Sequence, residues 1–327
     1  MGQMRRGVRL GQYALTFWLA ITLNFLLPRL MPGDPLALLA GDSVRVESPE
    51  SLEAIAERYG LNEPLWKQYL TYIAQLARGD LGFSYQYGLM AKSVMQIVLE
   101  RLGWTLLITL SSLLLTTLIG VPLGAVTAWR RGGSGDTVSL TAVLVLRSLP
   151  VFWMAMLMVS VLAVQTHIFP VTGARTVPVR LSGLAYAADI LHHAVLPIAA
   201  LSLQTLPGVF VVSRYAMLGV READYIRTAR AKGLSERVVM WKHGLRSVLL
   251  PIATSFMLSV GFAFSGATVV ETVFSYPGIG RMMFEAVSRR DYPLLQAGFL
   301  VTTFAVLVTN LIADLLYPYL DPRLRRS

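Results

Sequence analysis

The stretch Glu222–Pro251, EADYIRTARAKGLSERVVMWKHGLRSVLLP, is a polar and basic interruption between two long apolar segments. Within it, Ile226, Ala229 and Gly233 recur at helical spacing, which predicts a short helix with small and apolar groups on one face. Gly233 supplies the left-handed residue that ends a helix, and Ser235 can cap the next one. The sequence therefore predicts a helical elbow outside the bilayer, either a docking element for a soluble partner or a loop whose charge fixes topology.

The composition is that of an integral membrane protein. Hydrophobic residues make up 54% of the chain and charged residues only 15%. The net charge of +10 comes from basic residues beside apolar segments, which is the positive-inside pattern and not a nucleic-acid patch. The chain has no cysteine, which excludes disulfides and thiolate metal sites. The basic start and its apolar run lack a cleavage site, so we expect an uncleaved first span.

Six segments are long and apolar enough to cross a bilayer as helices. They fall near residues 10–30, 103–128, 138–165, 195–218, 250–272 and 295–318. With six spans, the basic clusters all fall on one side, which places both termini in the cytoplasm. We therefore expect an all-α membrane protein with six transmembrane helices. We predict an N-terminal tail with the first helix at 1–31 and an external region at 32–102. The core then covers 103–327 and contains a cytoplasmic loop at 219–249.

The region between the first two spans predicts two short amphipathic helices over the outer face of the membrane. Ser48-Pro49 is a helix start, and apolar residues follow at helical spacing: Leu52, Ile55, Ala56, then Leu65, Tyr69, Ile73, Leu76. These helices form either a docking surface for an external partner or a cap over the bundle. A further loop at 166–194 and an amphipathic helix around Met282–Val287 are predicted on the same side.

No nucleotide-binding or hydrolase motif occurs in the sequence. His192 and His193 are adjacent and point in different directions on a helix, which favours interfacial hydrogen bonding over metal ligation. Ionisable or polar groups at membrane depth cost energy unless paired or hydrated. Arg147, Asn310 and Asp314 therefore line a translocation path or lock helices together.

Two further features of the spans carry predictions. Glu271 faces an aqueous mouth or caps a neighbouring helix, and the sequence leaves both open. Gly120 and Gly124 flank Pro122 at the spacing that allows close helix approach, which predicts packing without a direct chemical role.

Motifs spread over the whole chain resemble one family, the membrane permeases of bacterial ABC importers for dipeptides, oligopeptides and nickel chelates. The matches are Pro32-Gly33-Asp34-Pro35, Gly79-Asp80-Leu81-Gly82, Gly120-Val121-Pro122-Leu123-Gly124, Ser148 with Pro150 and Phe152, Asp224 to Leu234, Val270-Glu271 with Phe274 and Pro277-Gly278, Arg290-Asp291-Tyr292-Pro293, and Asp321-Pro322-Arg323.

The resemblance implies a type I importer permease, the first of two permease subunits, in the bacterial cytoplasmic (inner) membrane. It implies a subunit without catalysis or bound cofactor, with ATP and Mg on two partner ATPase subunits and substrate from a periplasmic or lipid-anchored binding protein. The elbow would be the ATPase-coupling helix, comprising Asp224, Tyr225, Ile226, Arg227, Thr228, Ala229, Arg230, Ala231, Lys232, Gly233 and Leu234.

The chain also departs from the family pattern. Arg227-Thr228 stand where the wider importer signature has Glu-Ala, and Pro251 comes later than in that signature. Arg101-Leu102-Gly103 replaces a common Arg-Leu-Pro, and Arg147 is a charge where a small or apolar residue is expected. A charge at that position on the path favours an anionic group on the substrate. The substrate stays open among dipeptides, oligopeptides, nickel chelates, opines and glycosides.

Two other classes of membrane protein are weighed against the importer. A self-contained carrier or channel needs its own ion-coupling carboxylates or broken helices at the midplane, for which Asp314 is the single candidate. An intramembrane enzyme needs a nucleophile with a base, or a metal pair, at helical spacing on one span, and none is present. The long basic elbow favours the importer.

Overall fold

The computed structural model describes residues 2–30, 63–84, 92–177, 181–289 and 291–320. Its helices, in chain order, are α1 (Gly2–Leu30), α2 (Leu65–Ala77), α3 (Val94–Trp129), α4 (Ser134–Ser148), α5 (Val151–Met158), the π-helix π1 (Val159–Gln165), α6 (Gly183–Arg221), α7 (Asp224–Ala231), α8 (Glu236–Val238), the π-helix π2 (Val239–Leu245), α9 (Leu249–Val273), α10 (Ile279–Ser288) and α11 (Tyr292–Leu320). The described chain is nearly all helical, as predicted, with an isolated bridge between Phe83 and Ser93.

Several predicted features lie outside the described residues. They are the Pro32–Pro35 motif, the first external amphipathic helix with Ser48 and Leu52–Ala56, Pro178, Arg290, and the C-terminal motif with its basic cluster at residues 321–326. The second of the two predicted amphipathic helices is confirmed as α2, and its place on the outer side stays a prediction.

Among the described residues, three helices are long and apolar enough to cross a membrane, and a bent pair provides a fourth candidate. The three are α3, α6 and residues Tyr292–Ile312 of α11, and the pair is α4 with Val151–Gln165. The segments near 10–30 and 250–272 lie in α1 and α9, helices of 29 and 25 residues. The count of six spans and the orientation of the termini stay predictions.

The segment 138–165, expected as one span, is broken. Its two halves meet at an angle of 98°. The break falls at Leu149, whose backbone is extended (φ −86°, ψ 129°), directly before Pro150. The ring of a proline clashes with a helical conformation of the preceding residue, so α4 ends here and α5 begins in a new direction. The prediction of one straight span overlooked this proline.

Two other predicted boundaries move outward. The helix predicted from 103 begins at Val94, and the one predicted from 195 begins at Gly183 after Ser182. Prolines nevertheless lie inside these helices, Pro122 in α3 and two in α6. Membrane helices tolerate internal prolines because neighbouring groups satisfy the freed carbonyls.

The chain forms two compact units, of which the first comprises residues 1–103 and 281–307. In it, Asn24 of α1 donates from Nδ2 to the carbonyl of Gln296 at 2.8 Å, and Gln296 donates back to the carbonyl of Asn24 at 3.2 Å. Thr22 shares a hydrogen bond of 2.6 Å with the hydroxyl of Tyr69 on α2. Polar pairs of this kind hold helices together where the hydrophobic effect cannot.

The second unit comprises residues 104–280 and 308–327, and α6 is its central helix. α6 packs against α4, α5, α9 and π2. It also meets α3 at the predicted glycines, because a Cβ added at Gly124 would lie 2.7 Å from the carbonyl oxygen of Phe210. The predicted close approach at Gly120 and Gly124 is thereby confirmed. The hydroxyls of Thr116 and Thr205, 2.7 Å apart, add a polar contact to the same seam.

Candidate functional site

The helix α7 forms the first arm of the predicted elbow, and one of its faces is anchored. Ile226 is fully buried and Ala229 is 5% exposed. Both pack against Val239 at the start of π2, with Trp129 from the end of α3 alongside. Gly233, predicted on the same face, lies beyond the end of α7 and is exposed. The anchored face ties α7 to the C-terminal end of α3.

A polar clamp ties the second arm of the elbow to α3. Glu236 accepts hydrogen bonds from Nε1 of Trp129 at 2.7 Å and from Nε of Arg230 at 2.7 Å. The guanidinium of Arg230 also lies 5.3 Å from the centre of a Trp129 ring. The hydrogen bonds from Arg230, and then that from Trp129, lower the pKa of Glu236. The clamp holds both arms of the elbow to one tryptophan.

The corner of the elbow is built by Gly233. Its φ is +75°, in the left-handed region, and its N–H donates to the carbonyl of Arg230 at 2.9 Å. The predicted helix end is thus confirmed. Ser235 occupies the capping position of α8, but its side chain makes no capping bond. The predicted side-chain cap is therefore not formed, and the contribution of Ser235 to the helix is its backbone carbonyl, which accepts the N–H of Val239 at 3.0 Å.

The opposite face of α7 is open. Asp224 and Arg227 form the ion pair that their i,i+3 spacing on a helix predicts, at 3.8 Å, and their side chains are 98% and 71% exposed. An exposed pair at this distance contributes little stability. Tyr225 and Thr228 are exposed beside it. An anchored back and a free polar front leave this helix able to dock against another protein.

Glu271 lies buried near the end of α9, beside the turn that leads into α10. Its carboxylate is completely buried and accepts a hydrogen bond from Thr105 at 2.6 Å. The same threonine oxygen accepts the N–H of Ile279 at 2.8 Å, at the start of α10. A Cβ at Gly278 would overlap the Glu271 carboxylate. The Val270-Glu271 and Pro277-Gly278 motifs therefore form one structural unit with Thr105.

A second pair of motifs meets in the unit formed by 1–103 and 281–307. Asp291, fully buried, precedes α11 and accepts the N–H of Leu294 at 3.2 Å, which is a helix N-cap. It also accepts a hydrogen bond from the hydroxyl of Ser84. Ser84 follows the Gly79–Gly82 turn, in which Asp80 accepts the N–H of Gly82 at 2.9 Å. Each motif therefore has an aspartate that accepts a backbone N–H, and the hydrogen bond from Ser84 to Asp291 joins the two motifs.

The four candidate path residues lie on three helices: Arg147 on α4, Glu271 on α9, and Asn310 and Asp314 on α11. Arg147 is exposed in the last turn of α4 and makes no hydrogen bond or ion pair with the described residues. Asn310 and Asp314 are half-buried on α11, and Asp314 has an interaction partner. That these four residues line a translocation path stays a prediction.

The family comparison matches residues 120–326 to the binding-protein-dependent transport system inner membrane component. The chain belongs to this family. The dipeptide transport system permease protein DppB of Alkalihalophilus pseudofirmus is 36% identical over 319 residues, covering 92% of this chain and 93% of the relative. DppB of Escherichia coli (strain K12) is 34% identical over 344 residues, covering 98% of each. The oligopeptide transport system permease protein AppB of Bacillus subtilis (strain 168) is 36% identical, covering 92% and 93%.

The fold of this permease is also that of a solved importer subunit. A chain of the MetNI methionine ABC transporter in an inward facing conformation matches with a TM-score of 0.57 at 16% identity. The match covers 69% of this chain and 97% of that one. Together the comparisons confirm the resemblance read from the motifs. The protein is an inner-membrane permease component of an ABC transport system.

One ion pair of the permease was missed from the sequence. Arg214 of α6 and Asp136 near the start of α4 form two hydrogen bonds, 3.0 Å from Nε to Oδ1 and 3.1 Å from Nη2 to Oδ2. Both side chains are less than a tenth exposed. The sequence did contain a signal for it, because Arg214 is a charged residue inside a predicted span, as Arg147 is. The pair locks α4 to α6 and explains how an arginine is tolerated there.

The two adjacent histidines of the permease make the expected hydrogen bonds. His192 contacts the carbonyl of Ile168 at 2.9 Å, and His193 contacts the carbonyl of Asp189 at 2.8 Å. The Asp189 carboxylate in turn accepts hydrogen bonds from the backbone and hydroxyl of Thr176. These contacts fasten the loop at 166–177 to α6. Among the described residues, no group of three His, Asp or Glu is placed to hold a metal ion.

Proposed function

We propose that this permease pairs with a second, homologous permease to form a path for peptides, driven by two separate ATPase subunits. A periplasmic or lipid-anchored binding protein delivers the substrate. Relatives that cover nearly the whole chain are named as dipeptide and oligopeptide permeases, which supports peptides as the substrate class. In this assignment the chain itself is non-catalytic, and ATP with Mg binds to the ATPases.

The observation that carries the proposal is the construction of the elbow. α7 presents an exposed polar front while Ile226 and Ala229 hold its back against Val239 and Trp129. Trp129 ends α3, and π2, which contacts α7, leads towards α9. A displacement of α7 by a bound partner is therefore transmitted to the two long helices α3 and α9 through packed contacts and not through a flexible linker. Rigid-body coupling of this kind suits ATP-driven switching between outward and inward states.

The orientation follows from the same assignment. The elbow and Arg130-Arg131 at the end of α3 are placed in the cytoplasm, together with both termini, and six helices cross the membrane. α2 then lies on the outer side, where the binding protein approaches. Basic loops on the cytoplasmic side agree with the positive-inside rule.

The test uses the absence of cysteine from the chain. In the assembled importer, Thr228→Cys places a unique thiol on the front of α7, and Lys67→Cys places one on the exposed side of α2. We expect a thiol-to-lysine cross-linker to join Thr228→Cys to an ATPase subunit, and Lys67→Cys to give no such product. Equal cross-linking at both positions, or none at Thr228, contradicts the assigned contact.

A further inference from the structure

A cavity of about 320 Å³ lies between the two arms of the elbow. It is lined by Tyr225 of α7 and by Lys242, His243, Arg246 and Ser247 of the arm that leads to α9. No carboxylate is among its lining residues. Lysine and arginine supply two permanent positive charges, and the tyrosine hydroxyl and the imidazole supply neutral hydrogen-bonding groups, whereas the hydroxyl of Ser247 already donates to the carbonyl of His243 at 2.8 Å.

The helical arm aims these groups in one direction. Lys242 and Arg246 are four residues apart, as are His243 and Ser247, so each pair shares a face of the helix. Lys242, Arg246 and the ring of His243 make no ion pair or hydrogen bond within the described chain. Arg230, by contrast, is committed to Glu236 at 2.7 Å. The positive charges of the cavity are therefore available to a ligand.

Two residues next to the cavity in the sequence indicate where it lies relative to the membrane. The apolar helix α9 begins at Leu249, three residues after Arg246, and Leu249 is 45% exposed. Trp241, beside Lys242, is 38% exposed. Tryptophan with an exposed ring is typical of the membrane–water boundary, where lipid headgroups lie. The cavity thus lies where the basic loop meets the bilayer.

We propose that this cavity binds the phosphate of an anionic phospholipid headgroup. The inference rests on the orientation proposed above, which places the elbow at the cytoplasmic leaflet. Lys242 and Arg246 donate to the phosphate oxygens in charge-assisted hydrogen bonds, and the hydroxyl of Tyr225 donates from the other side. Basic pockets beside transmembrane helices on the cytoplasmic side are suited to such headgroups. A bound headgroup bridges α7 to the second arm and stiffens the elbow.

The experiment measures which lipids the full-length permease retains, by native mass spectrometry after titration with phosphatidylglycerol or phosphatidylcholine in detergent. We expect the wild type to retain phosphatidylglycerol in preference. The double variant Lys242→Gln, Arg246→Gln should retain it about 25-fold less, because each of the two basic groups near an anionic headgroup contributes on the order of fivefold. Ser247→Glu, which adds a negative charge to the lining, should weaken retention without removing a basic residue.

Arg237→Gln is the matched control, since Arg237 belongs to the same elbow but does not line the cavity. It should retain phosphatidylglycerol like the wild type. Unchanged retention in the double variant, or equal loss in Arg237→Gln, overturns the proposal. So does inorganic phosphate that binds the cavity while no lipid preference exists. A double variant that keeps its lipid here but no longer co-purifies the ATPases in a separate pull-down also overturns it, because the cavity then serves an acidic protein surface. ATP and ATPases are absent from the lipid measurement, so its failure leaves the coupling proposal intact.

Discussion

Glu271 shows how a single buried carboxylate can organise a turn in an apolar protein. It is held by Thr105, and the same threonine hydroxyl accepts the N–H of Ile279. Gly278 is required beside it, because a side chain there would overlap the carboxylate. The residue therefore joins α3, α9 and the start of α10 within one unit, and we propose that its role is structural.

Thr105→Val tests this role. The change leaves the buried N–H of Ile279 without its partner and removes a bond from Glu271, and each such loss costs about 1–3 kcal/mol. We expect a clearly lower midpoint of thermal unfolding in detergent, with Thr105→Ser close to wild type. Thr117→Val is the control, because Thr117 bonds only the carbonyl of Leu113 in its own helix. An equal effect of both valine substitutions would contradict the assigned role.

Arg147 is a charged residue for which the described chain offers no structural role. It is exposed and makes no hydrogen bond or ion pair with the described residues, so its removal should not lower the stability of the chain. Our hypothesis is that it faces the substrate path and favours an anionic group such as a carboxylate.

Arg147→Ala should reduce uptake in proteoliposomes while the complex still assembles and its basal ATP hydrolysis persists. Arg147→Lys, which keeps the charge, should recover part of the uptake. Loss of assembly in Arg147→Ala would instead place this residue in a subunit interface and remove it from the path.

Residue roles were predictable from sequence where the partner lies nearby in the chain. The ion pair of Asp224 with Arg227 and the helix end at Gly233 follow from local spacing and were confirmed. The partners of Glu271 and Arg214 lie 166 and 78 positions away, and no local spacing reveals them. Which of several buried charges meet is decided by packing.

At the scale of elements, the elbow was predictable because its signals are strong and local. The helix boundary at Pro150 carried an equally local signal, yet hydropathy alone merged α4 and α5 into one span. Hydropathy reports composition and is insensitive to direction. The broken segment therefore shows that proline positions must be read together with apolar length.

Gly233→Pro tests the elbow as a coupling element. Proline cannot adopt the φ of +75° found here and removes the N–H that bonds Arg230. We expect ATP hydrolysis that no longer drives uptake. Gly233→Asn is the control, because asparagine tolerates the left-handed region better than other residues.

The readout is the ratio of substrate imported to ATP hydrolysed in proteoliposomes. The ratio should fall towards zero for the proline variant and stay near wild type for asparagine. Normal coupling with proline at this position would argue against transmission through the elbow.

The clamp at Glu236 predicts a pH dependence. Hydrogen bonds from Arg230 and Trp129 lower its pKa in the folded protein, so its contribution is complete above the ordinary glutamate value of about 4.3. The contribution is lost as the pH falls through the lowered folded value. We expect the thermal midpoint of the wild type to exceed that of Glu236→Gln near neutral pH, and the difference to shrink in this acidic window.

The control is Glu222→Gln, which removes a carboxylate of the same elbow that makes no ion pair within the described part of the chain. Its midpoint should differ from the wild type by a small amount that does not follow this pH profile. A difference for Glu236→Gln that stays constant from neutral pH to below the lowered pKa would refute the clamp.

For the whole molecule, the apolar surface agrees with a subunit that lives among lipids and other membrane helices. Large apolar side chains on α3 are exposed, including Leu110, Leu114 and Leu118. In a lone soluble protein such a row would promote aggregation, whereas in a bilayer it faces lipid or a partner permease. The class of protein and its family were therefore readable from sequence, while the number of spans and the partner-facing surfaces stay predictions.

The central claim is that this permease transports only as part of an ATP-driven assembly. Its most direct test is to purify the tagged full-length chain in mild detergent, identify what co-purifies by mass spectrometry, and reconstitute the product for uptake with and without ATP. The account predicts recovery of a second permease and ATPase subunits, and uptake that requires ATP. Recovery of the chain alone, with uptake that proceeds without ATP, would contradict it and make the permease a carrier.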